Sequence, residues 1–179
     1  MKYLALLRGI NVGGKSKVSM ARLAELFEDA GHGDVRTYIN SGNVLFTAPR
    51  GAAVALAEEL ERRIAKQLDL DVRVLVLAAS TVGKIAADLP DDWVNDKSMK
   101  SDVIFLWPEH ASPKVVNRFT IDPEHEDIRY SHGAILWRVD RSYVTRSAMM
   151  KLVATDLYKG MTVRNCNTLR KLDSMLSEG

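Results

Sequence analysis

Residues 35–47 read VRTYINSGNVLFT, in which two apolar runs flank the polar segment Asn40-Ser41-Gly42-Asn43. The runs Val35–Ile39 and Val44–Thr47 are predicted to be strands, and Asn, Ser and Gly supply the backbone conformations that a tight reversal needs. The stretch therefore predicts a β-hairpin. Because a hairpin makes its two strands antiparallel, it favours an α+β fold over a parallel, doubly wound one.

The elements on either side of the hairpin complete a βαββαβ order. Lys2–Leu7 is interpreted as a buried strand and not as a signal peptide, because its apolar run is short and no small-residue cleavage site follows it. Ser19 is the expected N-cap of a first helix, Ala53–Leu68 has the apolar face of a second, and Val72–Leu77 is a fourth strand. This order is that of the ferredoxin-like fold, so the predicted fold class is α+β.

The second half of the chain begins the same order again. Its predicted elements are strands at Val103–Trp107, Ile128–Ser131, Ala134–Val139 and Met161–Arg164, and helices at Ser112–Phe119, Ser147–Tyr158 and Asn167–Leu176. We therefore expect a ferredoxin-like subdomain over residues 1–79. A second, diverged α+β subdomain, packed on the first, is expected over residues 80–179.

The composition is that of an ordinary globular protein, with 179 residues of which 46% are hydrophobic and 27% charged. The single cysteine, Cys166, excludes an internal disulfide and a cysteine-based zinc site. We predict no metal and no cofactor. No apolar run approaches the roughly 20 residues of a membrane span, so a soluble, cytoplasmic protein without a membrane partner is expected. The oligomeric state and the reaction, if there is one, stay open.

The net charge of +2 conceals an uneven distribution. The segment from Arg138 to Lys171 holds eight basic residues, opposed only by Asp140 and Asp156, and so carries +6, whereas residues 1–137 carry −2. A basic segment can attract phosphate-bearing ligands or nucleic acid. The alternative is a solvated helix face that is rich in Lys and Arg.

The segment Gly9-Ile10-Asn11-Val12-Gly13-Gly14-Lys15-Ser16 satisfies the G-x-x-x-x-G-K-[ST] pattern of nucleotide-hydrolase phosphate loops. In those loops the helix begins at the Gly-Lys itself, but here apolar helical periodicity begins only near Met20. The predicted hairpin is antiparallel, and no predicted strand ends in an Asp that could hold Mg²⁺. The alternatives are a glycine-rich connector, or a nest of backbone amides that binds an anion together with Lys15.

Three segments carry a resemblance that spans nearly the whole chain: LLRGINVGGK at residues 6–15, RTYINSGNV at 36–44 and TVRNCNT at 162–168. Together they resemble a bacterial domain-of-unknown-function family, DUF1697. The third segment departs from the family pattern, because Cys166 stands where the family usually has Trp. The resemblance implies an α+β fold and a cytosolic bacterial protein, and it implies no reaction.

We predict the functional site where the loop after the first strand meets the hairpin turn. In a ferredoxin-like unit the first two strands are parallel, so the loop and the turn lie at one edge of the sheet. The third family-like segment is expected to fold back to the same cleft. The candidate ligand-binding residues are Arg8, Asn11, Gly13, Gly14, Lys15, Asn40, Ser41, Asn43, Arg164, Asn165 and Asn167. The alternative is that these are ordinary turn residues and that Arg8 ties loops together.

The favoured function is binding of a small anionic or phosphorylated ligand at this site. The alternatives are a Mg-nucleotide-binding phosphate-loop protein, and a nucleic-acid-binding or protein-interaction module that uses the basic C-terminal segment. Nucleic acid is not favoured, because the predicted central strands offer only Tyr3 and Phe46 as aromatic residues. His125 and His132, which flank Glu126 and Asp127, are interpreted as surface residues. His32 is expected in an exposed turn.

Overall fold

The computed structural model describes residues 1–11 and 17–178. The chain forms two compact units, one made of Met1–Val82 with Ser174–Gly179 and the other of Gly83–Asp173. Over the described residues, each unit contains a four-stranded antiparallel sheet. The predicted α+β fold class is confirmed.

The first unit has the predicted ferredoxin-like order. Its elements are β1 (Lys2–Leu7), α1 (Met20–Asp29), β2 (Gly33–Tyr38), β3 (Asn43–Thr47), α2 (Ala53–Leu68) and β4 (Val74–Ala78). The strands lie in the order β2-β3-β1-β4, and each neighbouring pair is antiparallel. The hairpin prediction is confirmed, except that Ile39 lies in the turn and not in the strand.

One face of this sheet packs against the apolar faces of α1 and α2. The helices contribute Leu23, Leu26, Phe27, Leu60 and Ile64 to the core, and all of these side chains are buried. Tyr3 and Phe46, the two aromatic residues of the central strands, are each 1% exposed and stack on each other with ring centroids 5.6 Å apart. Neither ring is therefore available to stack on a nucleic-acid base, as an RNA-binding sheet would require.

The expectation that His32 is exposed is wrong. Gly31 follows α1 with φ +84°, and the N–H of His32 donates back to the carbonyl of Phe27 (3.2 Å), so the chain turns under the helix. This reversal places the imidazole 4.8 Å from the ring of Phe46, and the residue is 9% exposed. Its Nε2 is buried without a hydrogen-bond partner among the described residues.

Burial of His32 predicts a pH dependence of stability. Desolvation lowers the pKa of His32 below its usual 6.5, an effect opposed by Glu59 and reinforced by Arg63. In the unfolded chain the imidazole takes up a proton near its ordinary pKa, whereas the folded protein resists protonation. This contribution to the free energy of unfolding is therefore present above about pH 6.5 and is lost as the pH falls below that value.

The measurement is urea unfolding between pH 7.5 and pH 5 for the wild type and for His32→Phe. We expect the wild type to lose more stability than the variant over this range, because only the wild type carries the His32 imidazole, which is preferentially protonated in the unfolded chain. An equal loss in both proteins would show that His32 does not contribute to the pH dependence.

The second unit repeats the sheet order as β6-β7-β5-β8. The α-helices and strands that follow β4 are α3 (Ala79–Asp88), β5 (Met99–Leu106), β6 (Glu126–Ser131), β7 (Ala134–Asp140), α4 (Ala148–Leu152), α5 (Asp156–Lys159), β8 (Met161–Asn165) and α6 (Cys166–Ser177). The predicted helix from Ser147 to Tyr158 is wrong as one continuous helix. Thr155 donates its hydroxyl to the carbonyl of Leu152 (2.7 Å), and this bond satisfies a carbonyl at the end of α4.

The repetition extends to individual hydrogen bonds. At the end of β1 the N–H of Leu7 donates to the carbonyl of Gly42 (2.8 Å), and at the end of β5 the N–H of Leu106 donates to that of Gly133 (3.1 Å). Both glycines have positive φ angles, +75° and +89°. In each unit the carbonyl of a glycine in the hairpin turn thus accepts a hydrogen bond from the last residue of the first strand.

The hairpin turns themselves differ between the units. In the second unit His132-Gly133 alone joins β6 to β7, whereas in the first unit the longer segment from Ile39 to Gly42 joins β2 to β3. A two-residue turn is therefore sufficient for this sheet topology. The sheet topology does not require the additional residues of the first turn, and these residues lie at the predicted site.

Candidate functional site

Asn11 holds the base of the loop that follows β1. Its Nδ2 donates to the carbonyls of Val18 (3.0 Å) and Asn40 (2.9 Å), and its Oδ1 accepts the N–H of Val18 (2.8 Å). The side chain thus closes the loop on itself and fastens it to the hairpin turn. The predicted meeting of loop and turn is confirmed at this contact. The amide group of Asn11 has a structural role here, because both of its N–H groups are already donated.

Gly42 lets the turn lie directly against the chain that leaves β1. A Cβ atom at this position would stand 2.8 Å from the Cβ of Leu7 and 2.8 Å from the Cδ1 of Ile10. Real Cβ contacts are essentially never this short, and φ is also positive here (+75°). Residues 6–15 and 36–44, the two family-like segments of the first unit, therefore pack directly against each other at Gly42.

Asn43 fixes the other side of the turn. It is fully buried, and its Nδ2 donates to the carbonyl of Tyr38 (2.9 Å) and to the Oγ of Ser41 (3.0 Å). Ser41 and Asn43 thus lie together, as predicted. Their contacts shape the turn, because a buried amide needs such partners irrespective of any ligand.

A depression opens to solvent where the loop, the turn and α1 meet. We call it the loop–turn depression; its described lining residues are Asn11, Lys17, Val18, Ser19, Met20 and Asn40. Ser19 caps α1, and its Oγ accepts the N–H of Arg22 (3.5 Å). The lining therefore combines an exposed lysine, amide and hydroxyl groups, the start of a helix and two apolar side chains.

The chain that leads into α1 is positively charged. Residues 8–24 contain four basic residues and no Asp or Glu, the basic ones being Arg8, Lys15, Lys17 and Arg22, of which Arg22 forms an ion pair with Glu25 (3.0 Å). The amide N–H groups at the start of a helix and a nearby lysine both favour an anion. Lys17 was not among the sequence candidates, although its position just after the glycine-rich segment could have indicated it.

The remaining ligand-binding candidates of the first unit are three residues of the glycine-rich segment and Arg8. Gly13, Gly14 and Lys15 lie outside the described residues. Arg8 is half-buried at the end of β1, where its backbone N–H donates to the carbonyl of Arg73 (3.0 Å). Their part in a ligand site stays a prediction.

The third family-like segment belongs to the second unit. Arg164 is buried, and its Nη1 donates to the Oγ1 of Thr162 (2.9 Å) and to the carbonyl of Val163 (2.8 Å). This burial lowers the pKa of Arg164 to about 10. The Oδ1 of Asn165 accepts the N–H of Thr168 (2.9 Å) at the start of α6, and Asn167 is exposed. That these residues join the loop–turn depression stays a prediction.

Several side chains of the basic segment, Arg138 to Lys171, form hydrogen bonds within the second unit. Arg141 donates to the carbonyl of Asp96 (2.7 Å) and to the Oδ1 of Asn95 (2.8 Å). Arg170 donates to the carbonyls of Pro90 (2.8 Å) and Trp93 (3.0 Å). Arg141 and Arg170 thus support loops, and Arg164 is buried on β8. Fewer of the segment's basic side chains are therefore placed to contact a nucleic-acid phosphate.

The two histidines near the second hairpin have separate partners. His125 lies 3.0 Å from a carboxylate oxygen of Asp140, and His132 lies 3.7 Å from one of Asp88. Both imidazoles are partly exposed, as predicted. In the part of the chain that the structure describes, no group of three or more His, Cys, Asp and Glu side chains is placed to hold a metal ion.

The glycine-rich segment differs from a nucleotide-hydrolase loop in its setting. In the structure α1 begins at Met20, after the Gly14-Lys15-Ser16 end of the pattern, and the sheet that carries the loop is antiparallel. A hydrolase loop needs its helix to begin at the Gly-Lys and its sheet to be parallel. The described geometry therefore does not supply that setting.

Fold and site together define an α+β protein of two units with equivalent antiparallel sheets, of which the first has the ferredoxin-like order and carries the solvent-open loop–turn depression. The model of the family "Protein of unknown function (DUF1697)" matches residues 1–137, and the chain belongs to this family. No curated protein matches it. None of the helices in the described ranges is both long and apolar enough to cross a bilayer.

Among solved structures, the chain is similar to the conserved bacterial protein SP0830 from Streptococcus pneumoniae. The two share 29% sequence identity over 98% of each chain, with a TM-score of 0.83. The acetolactate synthase small subunit from Thermotoga maritima matches at 17% identity over 92% of this chain and 96% of that one, but its TM-score of 0.24 is too low to carry an argument. The fold is thus shared with a conserved bacterial protein along nearly its whole length.

Proposed function

We propose that this protein binds a small anionic or phosphorylated ligand in the loop–turn depression. The observation that carries the proposal is the lining itself, in which exposed Lys17 and the start of α1 face solvent within a chain segment free of acidic residues. Positive charge and helix N–H groups act on an anion in the same direction. The proposal concerns binding and assigns no reaction.

The difference between the two hairpin turns supports this location. The second unit builds the same sheet with His132-Gly133, whereas the first unit uses four residues and adds the Asn11–Asn40 contact. Loops held by a rigid sheet are common places for binding residues. The proposed site thus lies where the first unit departs from what its topology requires.

Thermal unfolding with a panel of phosphorylated metabolites tests the proposal. A compound at 100 times its dissociation constant should stabilise the fold by roughly 2.7 kcal/mol. Lys17→Ala should reduce this stabilisation and leave the ligand-free transition in place, because Lys17 is exposed. Lys15→Ala and Arg8→Ala test the further cations of the sequence prediction.

Arg50→Ala is the matched control for Lys17→Ala. Arg50 is an exposed cation just after β3. It lies at the opposite end of the strands from the loop, because Thr47 at the end of β3 pairs with Lys2 at the start of β1. It should keep the full stabilisation by any compound that binds at the depression. If Lys17→Ala, Lys15→Ala and Arg8→Ala all keep it as well, the site is elsewhere.

A Mg-nucleotide phosphate loop is the alternative that the GKS pattern raises. Because α1 begins late and the sheet is antiparallel, we expect calorimetry to show no Mg²⁺-dependent ATP binding tighter than about 10 μM, which corresponds to about −6.8 kcal/mol. Tighter binding that disappears both without Mg²⁺ and in Lys15→Ala would establish the hydrolase-type loop instead.

A further inference from the structure

The last turn of α6 is fastened to the sheet of the first unit by two basic side chains. Lys2 on β1 donates through its Nζ to the carbonyls of Leu176 (2.8 Å) and Glu178 (3.1 Å). Arg36 on β2 donates through its Nη2 to the carbonyl of Met175 (2.5 Å). The last carbonyls of a helix have no partner within it and carry partial negative charge, so cationic donors suit them. These contacts join the two most distant parts of the chain.

Residues 174–178, which we call the strap, also carry an apolar anchor. Leu176 is 5% exposed, and it lines a small cavity together with Leu45 of β3. Leu45 lies on the face of the sheet that is opposite α1 and α2, because its neighbours Val44 and Phe46 both belong to the core beneath those helices. The strap therefore closes part of the second face of this sheet.

The strap belongs to the first unit, although the helix that carries it begins in the second. The chain leaves the first unit after Val82 and returns to it at Ser174, whereas α6 begins at Cys166. A helical turn depends on its hydrogen bonds to the turn before it, and a single isolated turn is not stable in water. The strap can therefore keep its shape only while the preceding part of α6 is folded.

We propose that the strap couples the unfolding of the two units, so that the chain unfolds in one transition. When the second unit unfolds, the strap loses the helix that supports it, and Lys2 and Arg36 lose their acceptors. When the sheet of the first unit unfolds, the end of α6 loses its donors and its apolar anchor. Without the strap, each unit would unfold at its own denaturant concentration.

The positions of the tryptophans allow the two units to be followed separately in the whole chain. Trp93, Trp107 and Trp137 all lie in the second unit, so their fluorescence reports its unfolding, whereas amide NMR signals of β1 and β3 report that of the first. In urea, both probes should give one midpoint for the wild type. The double variant Lys2→Met/Arg36→Met keeps the aliphatic stems and removes the donors. Its NMR midpoint should fall below its fluorescence midpoint by roughly 0.5–1 M.

A variant that destabilises only the second unit distinguishes coupling from a simple loss of stability in the first. Glu126 lies on β6 of the second unit, so Glu126→Ala should lower both midpoints in the wild-type background. In the double variant it should lower the fluorescence midpoint alone. Arg50→Met is the matched control, because it removes an exposed cation of the first unit that lies outside the strap contacts, and it should keep a single midpoint.

Three results would overturn the coupling role of the strap. The first is two separate midpoints in the wild type, and the second is one shared midpoint in the double variant. The third is a loss of both midpoints when Glu126→Ala is added to the double variant. If the double variant does not fold, the single variants Lys2→Met and Arg36→Met decide, because each removes part of the strap contacts and should separate the midpoints by a smaller amount.

Discussion

Replacing Gly42 by alanine is expected to lower the free energy of unfolding by roughly 2–5 kcal/mol. Two effects add at this position. A residue other than glycine pays about 1–2 kcal/mol for the left-handed conformation, and the new methyl group would stand 2.8 Å from atoms of both Leu7 and Ile10. Both neighbours are buried, so relief of the clash requires the chain that leaves β1 to shift.

Two other glycines separate these contributions. Gly31→Ala has the positive φ (+84°) without any described atom within 4 Å of the new Cβ, and should cost only the conformational part. Gly51→Ala should add neither backbone strain nor a clash, since the nearest atom to the new Cβ is a carbonyl oxygen at 3.9 Å. Its free energy of unfolding should be within about 1 kcal/mol of the wild-type value. Urea unfolding of the three variants measures the series. Equal stabilities of the Gly42 and Gly31 variants would contradict the close packing of the turn against Leu7 and Ile10.

Glu126→Ala is expected to destabilise the protein by about 3–5 kcal/mol. The carboxylate is 2% exposed and accepts the indole N–H of Trp137 (3.0 Å) and the N–H of Ala148 (2.9 Å) through one oxygen. Its other oxygen accepts the N–H of Asp122 (3.2 Å). Removal of the acceptor would leave these donors without it, including the N–H of the first residue of α4.

Glu126→Gln and Glu124→Ala complete this test. The glutamine oxygen can replace the acceptor of Trp137 and Ala148, but its amide N–H₂ would face the Asp122 N–H, so a smaller loss of about 1–2 kcal/mol is expected. Glu124 is an exposed carboxylate just before β6, and its removal should change the stability by no more than about 0.5 kcal/mol. If the Glu126 and Glu124 variants unfold alike, the buried network does not stabilise the second unit.

The parts of the fold that the sequence predicted are those with local signals. The turn residues around Gly42 predict the hairpin, Ser19 predicts the start of α1, and apolar periodicity predicts α2 over the range that the structure shows. Ile39 was assigned to a strand because it is apolar. Its place in the turn depends on the pairing of Tyr38 with Asn43, which a pattern of residue types does not define.

The sequence predicted that the loop after β1 meets the hairpin turn, but it did not predict the contacts that the residues make there. Topology alone brings the end of β1 to the hairpin turn, and the Asn11–Asn40 contact confirms this. The amide partners of Asn11 and Asn43 depend on side-chain geometry, and they show that these family-like residues build the turn and the loop base. Lys17 is therefore a cleaner probe of binding than Asn43, whose substitution would first disturb a buried hydrogen-bond set.

Backbone amide chemical shifts during a titration with phenyl phosphate test most directly where an anion binds. We expect the largest changes at Asn11, at residues 17–20 and at Asn40, with smaller changes along the turn to Asn43. Lys17→Ala should reduce these changes at each concentration, and Arg50→Ala should not. Changes centred in the second unit, or equal changes in the wild type and Lys17→Ala, would contradict an anion site in the loop–turn depression.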